Sequence, residues 1–293
     1  MKIIITGASG FLGKSLMRYL PHHGHVVDAL SLRSPQWESE IDLTCETIIH
    51  CAGKAHSVPT TEEEEKEFFE VNYDNTVSLC HAIDKLGVRL KAFVFISTVA
   101  VYGVHAGLNL KESLPLNGTT PYAKSKIKAE MYLQDWAQRN DIVLGILRIP
   151  LIAGHNPPGN LGAMIKGIRN GMYLSIGDAD VRKSMVLTED IAKIISRLIE
   201  VGGIYHLTDG YHPSVGELEK SIAKALGKSS PMKIPMFLAK MMAKVGDLIG
   251  TDAPINSEKL ERITTTLTFD DSKAQMILGW KPAKVLDKIS EIV

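Results

Sequence analysis

The sequence predicts an α/β fold: a doubly wound parallel sheet followed by a smaller, discontinuous C-terminal domain. Three observations carry that prediction. Apolar runs of strand length alternate with helical spacings through the first half of the chain. The opening run, Met1 to Ile5, passes through a glycine turn straight into a helical spacing. Beyond Pro150 the alternation breaks, and only the stretch from about 181 to 207 returns to it. We place the sheet domain at 1–150 with 181–207, and the smaller domain at 151–180 with 208–293.

The chain has 293 residues and 45% hydrophobic content, enough for a large core with a smaller partner. Its 33 basic and 33 acidic residues balance, so no net field draws it to nucleic acid. Cys45, Cys51 and Cys80 lack metal-ligand spacing and read as reduced thiols of a cytoplasmic protein; no metal is expected. A first strand beginning at residue 2 leaves no room for a signal peptide, and no apolar run reaches the length of a membrane span.

Ile3, Ile4 and Ile5 read as a buried strand. Gly7 turns the chain tightly off it, and Gly10 clears a side chain where a pyrophosphate would approach backbone N–H groups. Gly13 lets the helix, about Phe11 to Leu20, lie close to the strand. This Thr-Gly-x-x-Gly-x-x-Gly spacing, between strand and helix, marks a dinucleotide turn. His25 to Leu30 is the second strand, whose end would hold an acid for the ribose of NAD. Ser31 stands there instead, Arg33 comes two residues later, and Asp28 lies on the opposite strand face. A missing carboxylate beside an arginine favours a 2′-phosphate, hence NADP, with NAD left open.

Thr47 to Ala52, closed by Gly53, is a strand opening onto the ligand crevice. Glu62 to Glu65 begin a helix as a solvated face suited to the dipole, and the spacing carries on through Leu86. Lys91 to Thr98 is a strand ending in two hydroxyls, a helix opens at Tyr122, and Ile142 to Ile149 is a further strand. Helices over 160–170 and 190–201, a strand over 203–207 and a helix capped by Ser214 and stopped by Gly227 complete the pattern. Pro235 to Ile249 is amphipathic and rich in Met. We expect a core helix there, with a membrane-surface or partner helix as the alternative.

Tyr122 and Lys126, four apart on a predicted helix, share a face. A tyrosine of ordinary pKa, about 10, relays protons poorly at neutral pH, and a neighbouring ammonium favours the phenolate. Thr98, at a strand's carboxyl end, adds a hydroxyl to hold the same substrate oxygen. Together the three make a proton-transfer site beside a hydride carrier.

In these residues and their order the chain resembles the extended short-chain dehydrogenases/reductases, the nucleotide-sugar epimerase, dehydratase and reductase group. The resemblance runs over nearly the whole chain: Thr6-Gly7-Ala8-Ser9-Gly10-Phe11-Leu12-Gly13, Asp42-Leu43, His50-Cys51-Ala52-Gly53 and Asn72 before Thr76. It continues in Ser97-Thr98 through Tyr102-Gly103, in Tyr122 with Lys126, in Leu147-Arg148-x-Pro150, and in Asp271 through Leu278-Gly279-Trp280-x-Pro282. It implies a Rossmann-type sheet with a smaller substrate domain. Tyr122 would be the general acid/base, Lys126 the ribose-binding and pKa-lowering residue, and Thr98 the partner of the substrate oxygen. Gly7, Gly10, Phe11 and Leu12 would line the pyrophosphate, Asp42 and Leu43 would flank adenine, and Ala52 and Gly53 the nicotinamide. Gly13, Ser97 and Pro150 would also border the cofactor, and Asn72 would be structural. Asn160 and Leu161 would meet the diphosphate of a nucleotide sugar, with Arg182 or Lys183 as its cation. A homodimer through the helices of 62–86 and 122–138 is implied too.

Departures from the family pattern sharpen the reaction. Sugar dehydratases resemble one another in S-T-D-E-V-Y-G, but here Val99 and Ala100 replace the two acids, which argues against elimination of water. Reduction of a 4-keto nucleotide sugar is the leading expectation. A nucleotide-sugar 4-epimerase is the alternative, and a non-catalytic cofactor sensor a distant third.

Overall fold

The computed structural model describes residues 1–293 except 56–57, 250–252 and 254. In the first half, β1 (Lys2–Thr6) leads through the glycine turn into α1 (Phe11–Tyr19) and then β2 (Val26–Leu30) and β3 (Thr47–His50). The long acidic helix is two helices, α2 (Glu62–Phe69) and α3 (Asn75–Leu86), joined by a wider π turn over Glu70–Asp74. Thr61 caps α2 by accepting from Glu64 N, and the four glutamates stand exposed in its first turn. Next come β4 (Ala92–Thr98), β5 (Gly107–Leu110), α4 (Pro121–Arg139) and β6 (Val143–Ile149). Pro121 fits the first helical position, where no N–H is needed, and Thr120 caps it.

The second half contains β7 (Leu151–Ala153), α5 (Gly159–Arg169), β8 (Leu174–Ile176), β9 (Met185–Leu187), α6 (Thr188–Val201) and β10 (Gly203–Tyr205). It ends with α7 (Val215–Ala225), β11 (Met232–Ile234), α8 (Met236–Ile249), α9 (Ser257–Thr264), β12 (Leu267–Phe269), α10 (Ser272–Leu278) and α11 (Ile289–Ile292). A full capping box starts α7: the Ser214 side chain accepts from Glu217 N while the Glu217 carboxylate accepts from Ser214 N. Among the described residues no helix is long and apolar enough to cross a membrane.

The main sheet is parallel throughout, in the order β10-β6-β4-β3-β1-β2. The chain leaves β1 for β2 on one side and resumes at β3 on the other, so a switch point opens between the carboxyl ends of β1 and β3. The isoleucines of β1 and β3 and Val94 of β4, with no alternation, are buried on both faces, as a parallel sheet sandwiched by helices requires. One face packs against α1 and α6, the other against α3 and α4. The chain returns to this sheet after 181, with β10 pairing β6. The C-terminal signature also belongs here: Ala274, Leu278 and Trp280 pack into the α1/α6 core instead of the smaller domain's core. That smaller core is built by α5, α7 and the last helical turns. The three cysteines are free, two of them fully buried.

Candidate functional site

The glycine turn sits at the switch point, and each glycine there has a steric reason. Gly7 has φ +69°, and a Cβ on it would stand 2.6 Å from Ala52 N. A Cβ on Gly13 would stand 2.2 Å from Gly7 O, so only glycine lets α1 approach the turn. No side chain caps α1 at Gly10, which leaves its first N–H groups, at Phe11 and Leu12, open to an anion. The cradle therefore fits a dinucleotide pyrophosphate on steric and electrostatic grounds.

A buried hydrogen-bond chain locks the two strands on either side. Thr76 donates to Asn72 O (2.9 Å), so its oxygen accepts from His50 Nε2 (2.9 Å). His50 Nδ1 is then the acceptor for Thr6 Oγ1 (2.6 Å), whose oxygen faces Ala52 N at 3.4 Å. Burial pulls the His50 pKa down to about 3, so the ring is neutral, as this chain needs. Asn72, in the π turn, accepts from Lys54 N (2.7 Å) and donates to Lys54 O and Ser125 Oγ (3.0 Å each). It thereby clamps the loop after Gly53 to α4.

The candidate proton-transfer group assembles at the carboxyl end of β4. Thr98 ends that strand, and its hydroxyl lies beside the half-buried Tyr122 phenol, near enough to act on its titration. Lys126 is buried; its ammonium donates to Ile96 O (2.9 Å) and lies 4.4 Å from the Phe95 ring centroid. A Cβ on Gly53 would come within 3.4 Å of Lys126 Nζ, so the Gly53 loop and the lysine border one space. Burial lowers the Lys126 pKa to about 8. It raises that of Tyr122, against the opposing pull of the Thr98 hydroxyl. The Lys126 ammonium is turned to Ile96 O, and desolvation dominates at the phenol.

Glu130, one turn beyond Lys126, is fully buried and meets Arg148 through Nη2–Oε2 (2.7 Å) and Nε–Oε1 (3.2 Å). Ser97 Oγ donates to the same carboxylate. Arg148 Nη1 also donates to Tyr102 Oη (3.0 Å), which bonds His206 Nε2 (2.6 Å). This network joins β4, α4, β6 and the chain after β10 beneath the site. Sequence reading missed it, although Glu130's i+4 spacing from Lys126 and Arg148's place in the Leu-Arg-x-Pro motif were visible signals.

The remaining expected site residues are scattered more widely. Ser31 and Arg33 are exposed just past β2, on the carboxyl side of the sheet. Asp28 is paired with Lys2 at 3.7 Å. Asp42 and Leu43 do not reach the crevice, which corrects their placement at adenine. Only four residues separate Asp42 from the amino end of β3, and its carboxylate is hydrogen-bonded to Lys2, the first residue of β1. Ser97 turns its side chain to Glu130 and away from the crevice. Pro150 comes directly after β6, next to the end of β4, where Thr98 pairs with Ile149. Asn160 is exposed in the first turn of α5, but Leu161 is 5% exposed inside the smaller core, which removes its side chain from any ligand. Arg182 is partly exposed, donating to His212 O (3.0 Å), whereas Lys183 is spent on Arg262 O (2.8 Å) and Thr265 O (2.6 Å).

A parallel sheet with a phosphate cradle at its switch point, and a tyrosine, lysine and threonine at the adjoining strand end, defines an NAD(P)-dependent enzyme of the extended short-chain dehydrogenase/reductase class. A family model described as "NAD dependent epimerase/dehydratase family" matches residues 3–207, and the chain belongs to that family. It is 26% identical to the UDP-glucose 4-epimerase of Vibrio cholerae over 98% of this chain and 92% of that one. It is 27% identical to the GDP-6-deoxy-D-mannose reductase of Pseudomonas aeruginosa, over 76% of this chain and 79% of the relative. The solved structure of RMD from Pseudomonas aeruginosa complexed with NADPH shares its fold, with a TM-score of 0.78 at 21% identity, covering 100% and 98% of the two chains.

Proposed function

We propose that the protein reduces the 4-keto group of a nucleotide-linked sugar, with NADPH as the preferred cofactor. The observation that carries this reading is the strand end itself. Val99 and Ala100 come after Thr98 where elimination would need acids, and the Tyr122 phenol at that strand end has a proton to give. The bound cofactor supplies the hydride that reaches C4. Tyr122 delivers its proton to the C4 oxygen, the Thr98 hydroxyl holds that oxygen in line, and Lys126 orients the ribose. The α1 amides at Phe11 and Leu12 hold the pyrophosphate, and Ala52 and Gly53 flank the nicotinamide. With no acid at Ser31 and with Asp42 drawn off to Lys2, Arg33 is the charged group left to meet a 2′-phosphate. Asn160 and Arg182 are the groups proposed for the sugar nucleotide, and homodimerisation through α2, α3 and α4 is part of the reading.

The second reading is a 4-epimerase using the same residues. It is favoured by the likeness to the Vibrio cholerae UDP-glucose 4-epimerase along nearly the whole chain. One experiment separates the two. The protein is mixed with NADPH or NADH and a panel of nucleotide sugars, including 4-keto-6-deoxy forms, and absorbance and product are tracked together. Stoichiometric oxidation with a new C4 hydroxyl supports the reductase. Interconversion of C4 epimers at constant absorbance overturns it in favour of the epimerase.

A further inference from the structure

Helix α8 is amphipathic in the reverse sense for a core helix, which overturns the expectation drawn from its Met-rich stripe. Its small residues are the buried ones: Ala239 and Ala243 cluster with Leu260 of α9, and a Cβ on Gly246 would stand 1.8 Å from Ile255 O. Its large apolar residues face solvent, with Phe237, Met241, Val245, Leu248 and Ile249 each 59–88% exposed and Leu238 and Met242 partly so. At 100° per residue these seven form a continuous arc of about 140°. Together they expose on the order of 700 Å², more than the few hundred that soluble monomers ordinarily leave bare.

The margins of the arc say what it meets. Lys240 and Lys244 stand exposed on one side, next to Phe237, and neither makes an ion pair among the described residues. Asp247, the helix's one acid, accepts from Ser257 N (2.8 Å) and Oγ (2.6 Å). A second copy of α8 is a poor partner. In an antiparallel two-fold pair the lysine margin meets itself, and in a parallel pair it meets Leu238 and Met242. Neither arrangement offers a carboxylate beyond Asp247, which is already held by Ser257. A surface with apolar depth and dense anions satisfies both features. We propose that α8 docks the protein on an anionic phospholipid surface, lying in the interface plane with its apolar arc among the acyl chains and Lys240 and Lys244 at the phosphates. At 14 residues the helix lies on the bilayer and does not cross it.

The test is co-sedimentation of the full chain with vesicles of phosphatidylcholine and phosphatidylglycerol in equal parts, and with phosphatidylcholine alone. The protein pellets with the mixed vesicles and releases as salt is raised. Lys240→Ala and Lys244→Ala each weaken the partition about fivefold. Met241→Glu with Leu248→Glu abolishes pelleting while cofactor binding and thermal unfolding match the wild type, since both side chains already face solvent. A wild type that stays in the supernatant overturns the proposal. So does a dimer, seen by light scattering, that becomes a monomer in the double Glu variant, because a second copy then covers the arc. The vesicles carry no sugar, so either outcome leaves the reductase reading standing.

Discussion

Replacing Lys126 by Met should abolish activity and still stabilise the protein at neutral pH. The ammonium is buried, and its pKa falls from 10.5 to about 8 mainly through desolvation. At ~1.4 kcal/mol per pH unit, holding it charged at pH 7 costs about 3 kcal/mol. Methionine fills a similar volume without the charge but forfeits the bond to Ile96 O, worth about 1 kcal/mol. The net expectation is a gain of about 2 kcal/mol at pH 7. The sign reverses with pH. Between about 8 and 10.5 the unfolded lysine keeps a proton that the folded one has lost. Wild-type stability therefore rises through that window, and the variant's advantage shrinks and then turns into a deficit of about 1 kcal/mol. Urea unfolding of both proteins at several pH values from neutral to above 10, with turnover measured alongside, reads this directly. A Lys126→Met protein that is destabilised at pH 7, by an amount that does not change with pH, would refute the idea that the lysine is held charged at the fold's expense.

Tyr122→Phe should lose roughly 10²–10⁴ in kcat while NADPH binding, read by fluorescence, is unchanged; full activity would remove Tyr122 from the site. Arg33→Ala should raise the KM for NADPH several-fold and leave that for NADH alone, and equal effects on both would argue against a 2′-phosphate contact there. Arg148→Met strands the buried Glu130 carboxylate and should cost about 3–5 kcal/mol by chemical denaturation, partly recovered by adding Glu130→Gln. Gly7→Ala, with its Cβ 2.6 Å from Ala52 N at φ +69°, should abolish cofactor binding as measured by titration calorimetry.

Local patterns in the chain were legible where one short stretch holds both the signal and its meaning. The glycine turn, the Ser214 cap and the Tyr122–Lys126 spacing are of this kind, because sterics, capping and helical period act within a few residues. Asp42 was misplaced because the motif Asp-Leu is local, whereas its position in space is set by what its carboxylate meets. That carboxylate is hydrogen-bonded to Lys2, the first residue of β1, at the amino end of the sheet. Leu161 was misjudged because periodicity does not say whether an apolar side chain ends in a core or in a cleft. In α8 the same composition that suits a core helix turned outward, because Ala239, Ala243 and Gly246 let the backbone pack closely on α9 and Ile255. The π turn at Asn72 left no mark in the spacing, since the buried positions Phe68, Asn72, Thr76 and Leu79 keep the three- and four-residue steps of an uninterrupted helix.

By itself the sequence determined the parallel sheet and the glycine turn after its first strand, and it put Tyr122 and Lys126 on one face of a helix. Those depend on hydrophobic period, on the absence of a Cβ and on functional groups spaced along one helix. Only the tertiary structure decided the state of those groups. The raised phenol of Tyr122 and the lowered ammonium of Lys126 come from burial, which is a property of neighbours distant in sequence. The pairing of Glu130 with Arg148 and the outward face of α8 have the same origin: both are settled by which elements meet, not by what any one of them contains.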